Sequence, residues 1–356
     1  MATSFRLLVA LLFLPGAAAG QIASIIEDPV SCTSCRIAAH VLARISIPAS
    51  HPVDLARLLY VARRGDGGYV VQATSDGRSM VLAGPTGVFE RFVDTPHWNG
   101  RLVSRTDGAI QILLRGESRV LRGQEVGPSS EEPGVAWSAV DLGGAWVYNG
   151  YLAEDTAAAS PLYMVTSEGN ARPLAEPFSV PAWNISGHQV HRGLTRSSDG
   201  GFWTLEPTSY RIVEWNETGL PVRVFEVASD WPDDEPTAFA GWDTPPAAIP
   251  SYLSADRSGL LWVIGQLPDA AWRPLDVPDA RDPLPDPSSV YDSMIEVIDP
   301  RRGIVVARGR YDLRVLGFVG ERDVWGVRQD ESGRTVVQIV RLRMTDPTDT
   351  VRSPES

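Results

Sequence analysis

The sequence contains no lysine: all 32 basic residues of the 356-residue chain are arginine. Without lysine there can be no lysine Schiff base and no phosphate-binding loop of the GxxxxGK type. The chain also lacks a Gly-x-Ser-x-Gly elbow, which argues against hydrolases built on that turn. Its formal net charge is -12 at pH 7. Because nucleic acid binding requires a basic surface, this charge argues against a nucleic acid partner.

Cysteine is scarce, and the only two are Cys32 and Cys35 in "SCTSCR". A thioredoxin-like redox pair would need a βαβ pattern around this CxxC spacing, and a zinc site would need a second pair of ligands. The sequence has neither a βαβ pattern nor a second ligand pair around these two cysteines. In an oxidising compartment, a short-loop disulfide between Cys32 and Cys35 is the simplest interpretation. A redox role is the alternative.

Long apolar runs are absent apart from one in the first twenty residues, "MATSFRLLVALLFLPGAAAG". This run is too short for a helix that crosses a bilayer of ~30 Å, and the small residues after it are typical of a cleaved secretory signal. Residues 1–20 are therefore predicted to be a signal peptide. The junction has no cysteine that could carry a lipid anchor. No later run is apolar for 18 or more residues. We expect a secreted or periplasmic protein with no transmembrane segment in the mature chain.

What the sequence does contain is an internal repeat. The stretch "GGFWTL" at Gly200 to Leu205 is echoed by "GGAWVY", "SGLLWVIG" and "ERDVWGVR", which place Trp146, Trp203, Trp262 and Trp325 at one register. Weaker copies, "GDGGYVVQA" and "RTDGAIQIL", lie upstream. These recurring tryptophans are predicted to be core residues.

Each of the six copies has a short apolar strand before it, a tight Gly-containing turn, and in most cases a second hairpin after it. Period-two alternation with Gly or Asn in the connections is typical of strands rather than helices. Four antiparallel strands at a period near 50 residues are typical of a propeller blade. The predicted fold class is all-β, a six-bladed β-propeller of four-stranded antiparallel blades.

The last copy supplies only three strands before the polar tail "TDPTDTVRSPES". A missing outer strand would leave an open sheet edge. The unassigned segment "RIAAHVLARISI", residues 36–47, is predicted to pair with the strand around Thr335 to Leu342 and to close the ring. The expected organisation is a signal peptide at 1–20, an N-terminal segment with the CxxC at 21–35, the propeller at 36–345 and a disordered tail at 346–356.

"DGGFWTLEPTSYRIVEWNETGLPVRVF" resembles a blade of the six-bladed NHL-like and TolB-like propellers, and the chain as a whole is similar to secreted bacterial propellers of that type. The resemblance implies the same ring over about 300 residues. Such propellers host binding modules, lactonases, lyases and oxidoreductases, so the fold does not choose among these functions.

The long insertions all fall in the loops that join strand two to strand three or one blade to the next, and these loops open on one face of the ring. Long loops on a rigid scaffold commonly carry function. The aromatic, amide, imidazole and carboxylate residues expected on that face are Trp98, Asn99, Trp183, Asn184, His188, His191, Trp231, Asp233, Asp234, Glu235, Trp242 and Trp272.

Tryptophan beside carboxylates and amides suits a protein, peptide or carbohydrate ligand, because the ring offers a flat face and the polar groups set orientation. The predicted function is therefore a binding module without a cofactor. The alternative for the tryptophans is that they fix the long loops to the scaffold.

Three other readings of these loops remain open. His188 and His191 offer two metal ligands without an identifiable third. The "DWPDDEP" stretch could hold calcium, although it lacks the alternating spacing of a calcium loop. The alternative function is a calcium-dependent lactonase-like hydrolase in which Asn99 and Asn184 supply the Asn pair at the channel mouth. The Glu and Asp that this type of site also requires are not evident.

Overall fold

The computed structural model describes residues 23–26, 36–47, 60–72, 79–94, 101–114, 116–132, 134–152, 162–174, 192–232, 244–274, 290–332 and 334–345. Within these ranges the regular structure is all β-strand. The strands form six sheets, one for each predicted blade, and the chain is a six-bladed β-propeller as expected. No helix in the described ranges is long and apolar enough to cross a membrane. The predicted signal peptide, the CxxC and the tail lie outside them.

The strand bounds follow the repeat found in the sequence. The chain begins with β1 (Ala23–Ile26) and β2 (Arg36–Ser46), which join the outer edges of later blades. The first blade consists of β3 (Tyr60–Arg63), β4 (Tyr69–Gln72), β5 (Ser79–Ala83) and β6 (Phe89–Asp94). The second consists of β7 (Arg101–Ser104), β8 (Ile110–Leu113), β9 (Glu117–Arg122) and β10 (Glu125–Val126), and β11 (Ser130–Glu131) also pairs with β9. The third consists of β12 (Gly134–Asp141), β13 (Ala145–Leu152), β14 (Leu162–Thr166) and β15 (Ala171–Pro173). The fourth blade consists of β16 (Gly193–Arg196), β17 (Phe202–Glu206), β18 (Arg211–Trp215) and β19 (Pro221–Val227). The fifth consists of β20 (Ile249–Ala255), β21 (Leu261–Pro268), β22 (Tyr291–Asp299) and β23 (Ile304–Tyr311). The sixth consists of β24 (Val315–Phe318), β25 (Asp323–Gln329), β26 (Thr335–Thr345) and the N-terminal strand β2.

The first strands of the blades form the inner ring of the molecule. β3 contacts β7, β7 contacts β12, and the series continues through β16, β20 and β24. Strands in this position surround the central channel of a propeller. Side chains at their ends are therefore placed to reach the channel mouth.

The ring is closed by the N-terminal strand, as the three-stranded last repeat predicts. β2 pairs antiparallel with β26, from Arg36 opposite Thr345 to Ser46 opposite Val336. A turn of the first blade packs on the same strand: a Cβ on Gly87 would lie 2.5 Å from the carbonyl oxygen of Arg44. Gly87 also has φ of 88°, a conformation that glycine adopts without strain. The closing strand thus joins the first and last blades.

The structure adds one strand that the sequence analysis does not predict. β1 pairs in parallel with β19 on the outer edge of the fourth blade, with Ala23 opposite Val224. We expected residues 21–35 to lie outside the propeller. Because four residues are too few to show a period, the pairing depends on the exposed backbone groups of β19 rather than on a recognisable pattern.

The repeated aromatic position lies in the core between blades in three of its four tryptophan copies. Trp203, Trp262 and Trp325 are 5%, 1% and 3% exposed. Trp146 differs: it is half-buried and stacks on Tyr148, with ring centroids 5.9 Å apart. The core prediction is therefore confirmed for three tryptophans and too strong for Trp146.

The short turns gather on one face of the ring, here called the turn face. Five carboxylates accept hydrogen bonds from the backbone N–H two residues further on, at 2.8–3.1 Å: those of Asp66, Asp107, Asp141, Asp256 and Asp299. Such bonds let a short polar turn satisfy its own backbone groups. The opposite end of the ring, where strand two joins strand three and one blade joins the next, is called the loop face.

Candidate binding site at the loop face

Most of the predicted site residues lie outside the described ranges. This holds for Trp98, Asn99, Trp183, Asn184, His188, His191, Asp233, Asp234, Glu235 and Trp242, as well as Cys32 and Cys35. Their roles as ligand contacts, and the disulfide, stay predictions. Of the expected loop-face residues, the structure places Trp231 and Trp272.

Trp231 packs into the scaffold. A Cβ on Gly265 would lie 1.9 Å from a carbon of the Trp231 ring, so the indole occupies the space that any larger residue would need. The ring also meets Tyr210 edge-on, with centroids 5.7 Å apart. This position agrees with the alternative that loop tryptophans fix loops to the blades. A ligand contact by the exposed remainder of the ring stays a prediction.

Buried polar atoms without a hydrogen-bond partner gather toward the loop face. Among the described residues they include side-chain atoms of Gln72, Arg119, Asn149, Tyr163, Trp231, Trp272 and Arg314. Gln72 ends strand two of its blade, Trp272 follows strand two of another, and Arg314 immediately precedes the first strand of the sixth blade. Asn149 is completely buried, and neither its amide nitrogen nor its oxygen has a partner. Buried groups of this kind call for water, an ion or a ligand.

Charged side chains at the same end are mostly held in pairs. Arg192 donates through Nε to Glu206 at 3.0 Å, and the two side chains are 5% and 4% exposed. Glu296, fully buried, accepts hydrogen bonds from Arg308, Ser229 and the phenol of Tyr210. Buried charges are tolerated when they are paired in this way.

A second group at this end combines arginine side chains with aromatic rings. Arg101 begins β7 and lies over the ring of Tyr60, 4.2 Å from its centroid. Arg314 lies over the ring of Tyr291, 4.5 Å from its centroid. Tyr60, Arg101, Tyr252, Tyr291 and Arg314 are named here the channel cluster.

Electrostatics link the two sides of this cluster. Burial raises the pKa of Tyr252, and the positive charges of Arg314 and Arg101 offset part of that rise. Burial also lowers the pKa of Arg101 to about 10. By surface area, Arg101, Tyr252 and Arg314 are each half-buried. The sequence analysis missed this cluster, although an arginine at the start of an inner strand was a usable signal.

A metal site at the loop face has little support in the described residues. Carboxylate oxygens of Asp269, Asp292 and Asp312 lie within 4.8 Å of one another, and calcium binds such oxygens. However, Asp292 already accepts a 2.5 Å hydrogen bond from Arg310. The expected asparagine ligands Asn99 and Asn184 lie outside the described ranges. These residues therefore fit calcium poorly.

The ring of six blades defines the class of the protein, and comparisons with solved structures agree with it. The chain is similar to a member of the DUF4221 family from Bacteroides vulgatus, at 7% identity and a TM-score of 0.57, covering 88% of this chain and 99% of that one. It is also similar to a protein from Bacteroides fragilis that is assumed to be exported, at 8% identity and a TM-score of 0.54, covering 90% and 98%. No protein-family model and no curated protein matches the sequence. At such identities the likeness shows the fold alone, and that fold is the six-bladed ring implied by the NHL-like and TolB-like resemblance.

Proposed function

We propose that the protein is a secreted binding module that recognises a protein, peptide or carbohydrate ligand at the loop face. The observation that carries the proposal is the uneven distribution of buried polar atoms. On the turn face, carboxylates accept hydrogen bonds from backbone N–H groups in several of the short turns. Toward the loop face, side-chain polar atoms of Gln72, Asn149 and Arg314 are buried without partners.

The unpartnered polar atoms toward the loop face carry an energetic cost. Leaving a buried polar group without a hydrogen bond costs about 1–3 kcal/mol. A protein that keeps several such groups at one end gains stability when water or a ligand supplies the missing bonds. This supports a role in binding at the loop face, where the sequence also places its long insertions.

Export is part of the same proposal. Residues 1–20 have the pattern of a cleaved secretory signal, and the similar Bacteroides fragilis protein is assumed to be exported. In an oxidising compartment the Cys32–Cys35 disulfide would form.

The proposed anchors are Trp98, Trp183 and Trp242, with Trp231 contributing less because much of its ring is packed against Gly265. Rigid aromatic side chains lose little entropy on binding and often dominate interface energy. Asp233 and Asp234 lie in the same insertion as Trp242 and favour a basic or cationic partner. Such binding would weaken as salt rises.

The test is a glycan array and a displayed peptide library, each probed with the parent and a Trp98→Ala, Trp183→Ala double variant. Trp146→Ala, in a blade rather than a loop, is the matched control. We expect the control to keep the ligands of the parent and the double variant to lose about tenfold or more in affinity. Equal binding by the double variant, or hydrolysis of a lactone panel that chelator abolishes, would instead support the lactonase-like alternative.

A further inference from the structure

The turn between β18 and β19 carries a motif that the loop-face function does not use. It reads Asn216-Glu217-Thr218-Gly219 and lies on the turn face of the fourth blade. Asn-x-Ser/Thr, with any residue but proline in the middle, is the acceptor sequence for N-glycosylation of secreted proteins. The chain has one other copy, Asn184-Ile185-Ser186, which lies outside the described ranges. Because such a short motif also occurs by chance, the folded surroundings of Asn216 decide whether a glycan fits there.

The side chain of Asn216 is held in one orientation. Its Oδ1 atom accepts hydrogen bonds from the Thr218 backbone N–H, the Thr218 hydroxyl and the Leu220 backbone N–H, at 2.9–3.0 Å. Since the oxygen is turned toward these donors, the Nδ2 atom points away from them. Within the described part of the chain Nδ2 donates no hydrogen bond, and it is not one of the buried unpartnered atoms. A substituent on Nδ2 would therefore break no hydrogen bond of the turn.

There is room for a first sugar beside Asn216. A cavity of about 310 Å³ lies at this end of the fourth blade, and Asn216 is part of its wall. The lining also includes the carboxylates of Asp199, Glu214 and Glu217 and the side chain of Val222. Carboxylate oxygens can accept hydrogen bonds from sugar hydroxyls. Val222 offers an apolar contact to the C–H groups of a sugar ring.

Two apolar side chains near the same turn are left open to water. Leu220 is 58% exposed and Val222 is 50% exposed, and among the described large apolar residues only Val88 is more exposed. Neighbouring exposed apolar groups favour association with other molecules. Because an N-linked glycan is bulky and solubilising, one attached to Asn216 would cover both side chains.

The residue two positions before the asparagine distinguishes the two copies of the motif. Bacterial oligosaccharyltransferases act in the periplasm and recognise Asn-x-Ser/Thr when an acidic residue stands at that position. Glu214 meets this requirement for Asn216, whereas Ala182 occupies the position before Asn184. A periplasmic transferase should therefore modify Asn216 and leave Asn184 unmodified.

We propose that Asn216 is an N-glycosylation site and that its glycan covers the turn-face end of the fourth blade. In the reaction, Nδ2 attacks the anomeric carbon of a lipid pyrophosphate-linked oligosaccharide. The new N–C bond replaces the C–O bond to the pyrophosphate, which leaves with the electron pair, and the amide gives up one proton to a base of the transferase. The site goes beyond the loop-face function and lies at the opposite end of the ring. It rests on the proposed export, because the transferase is periplasmic.

The experiment is expression of the full chain in a bacterium that carries a periplasmic oligosaccharyltransferase and its lipid-linked oligosaccharide. Intact-mass and peptide mass spectrometry then locate the glycan. The matched variants are Thr218→Ser, which keeps the acceptor motif, and Thr218→Val, which removes the hydroxyl at nearly constant volume. We expect glycan on Asn216 in the parent and in Thr218→Ser, loss of the glycan in Thr218→Val, and no glycan on Asn184 in any of the three.

A further variant covers the case in which Thr218→Val does not fold. Glu214→Gln keeps Asn216 and Thr218 but removes the acidic residue, so it should lose the glycan as well. Unmodified Asn216 in parent protein recovered from the periplasm would overturn the proposal, and so would a glycan found on Asn184 alone.

Two controls separate this site from the proposed export and test the fit of the glycan. In the first, a secretory leader of the host replaces residues 1–20. Glycan on Asn216 with the host leader but not with residues 1–20 would refute the proposed export and leave the site standing. In the second, the parent is made with and without the transferase and compared by thermal unfolding. The glycosylated form should unfold at the same temperature or higher, and a lower temperature would show that the folded turn does not accommodate the glycan.

Discussion

Arg63 and Asp323 lie 260 residues apart, and Nη1 of Arg63 donates a 3.0 Å hydrogen bond to Oδ2 of Asp323. Arg63 ends the inner strand of the first blade, and Asp323 begins the second strand of the last. Asp323 also accepts hydrogen bonds of 2.6 and 2.7 Å from Arg341 in β26, and these bonds raise the pKa of Arg341. The carboxylate of Asp323 in β25 thus links β3 of the first blade to β26 of the last blade.

Asp323→Ala should weaken this closure. The side chain of Asp323 is 5% exposed, but those of Arg63 and Arg341 are 39% and 35% exposed, so water screens part of the interaction. We expect a loss of about 1–3 kcal/mol in the free energy of unfolding, below the range for a fully buried pair. Chemical denaturation measures it. Glu321→Ala, which removes the exposed pair with Arg257, is the control and should cost less than about 1 kcal/mol. Equal losses in both variants would contradict a closing role.

Trp203 and Trp146 occupy the same position of the repeat in different environments. Trp203 is 5% exposed and packs on Phe225, whereas Trp146 is half-buried. Trp203→Ala should reduce the free energy of unfolding by about 3–5 kcal/mol through lost contacts and the cavity left behind. Trp146→Ala should cost clearly less. Thermal unfolding of the two variants side by side measures the difference, and a Trp203→Ala protein that melts with the parent would refute the core assignment.

Gly265 leaves the space that the Trp231 ring fills. Gly265→Ala should force the ring out of its site and cost about 1–3 kcal/mol, as overpacking does in other cores. The matched control is Gly144→Ala, where an added Cβ meets nothing within 4 Å. A Trp231→Ala background should remove most of the Gly265→Ala cost, because the clashing ring is then absent. If the cost persists in that background, Trp231 is not the cause.

Asp256 gives a pH dependence with a definite sign. Burial alone would raise the pKa of Asp256, but hydrogen bonds from Ser258, from Nε1 of Trp262 and from the Leu260 backbone together hold it below its ordinary value of 3.8. A carboxyl whose pKa is lowered by folding contributes stability above the unfolded pKa, and that stability is lost as the pH falls through the folded value.

Asp256→Asn should therefore be less stable than the parent near pH 7, by about 1–2 kcal/mol, because the charge-assisted hydrogen bonds become neutral ones. As the pH falls below 3.8 and through the lower folded pKa of Asp256, the two proteins should converge, since the parent carboxyl then becomes protonated. Denaturation between pH 7 and pH 2 measures both curves. Parallel curves across that range would show that Asp256 does not titrate as proposed.

The blades and the closure could be predicted from the sequence because both depend on local signals. Period-two alternation, the Asp-Gly and Ser-Gly turns and the recurring Trp203 register are written in neighbouring residues. The pairing of β2 with β26 could be predicted from the number of strands in each repeat. The last repeat supplies only three strands, and the N-terminal part of the chain supplies one strand that belongs to no repeat. The candidate loop face also followed from where the long insertions fall.

The tertiary structure alone decided the rest, because these features depend on residues distant in sequence. No local pattern shows that β1 lies along β19, that Trp146 is half-buried while Trp203 is enclosed, or that Trp231 fits against Gly265. The channel cluster is a further case, since the Arg101 charge in β7 influences the pKa of Tyr252 in β20 only because the ring is closed. The sequence by itself determined the repeating strands and the order of the blades; the closing of the ring decided which side chains share the channel.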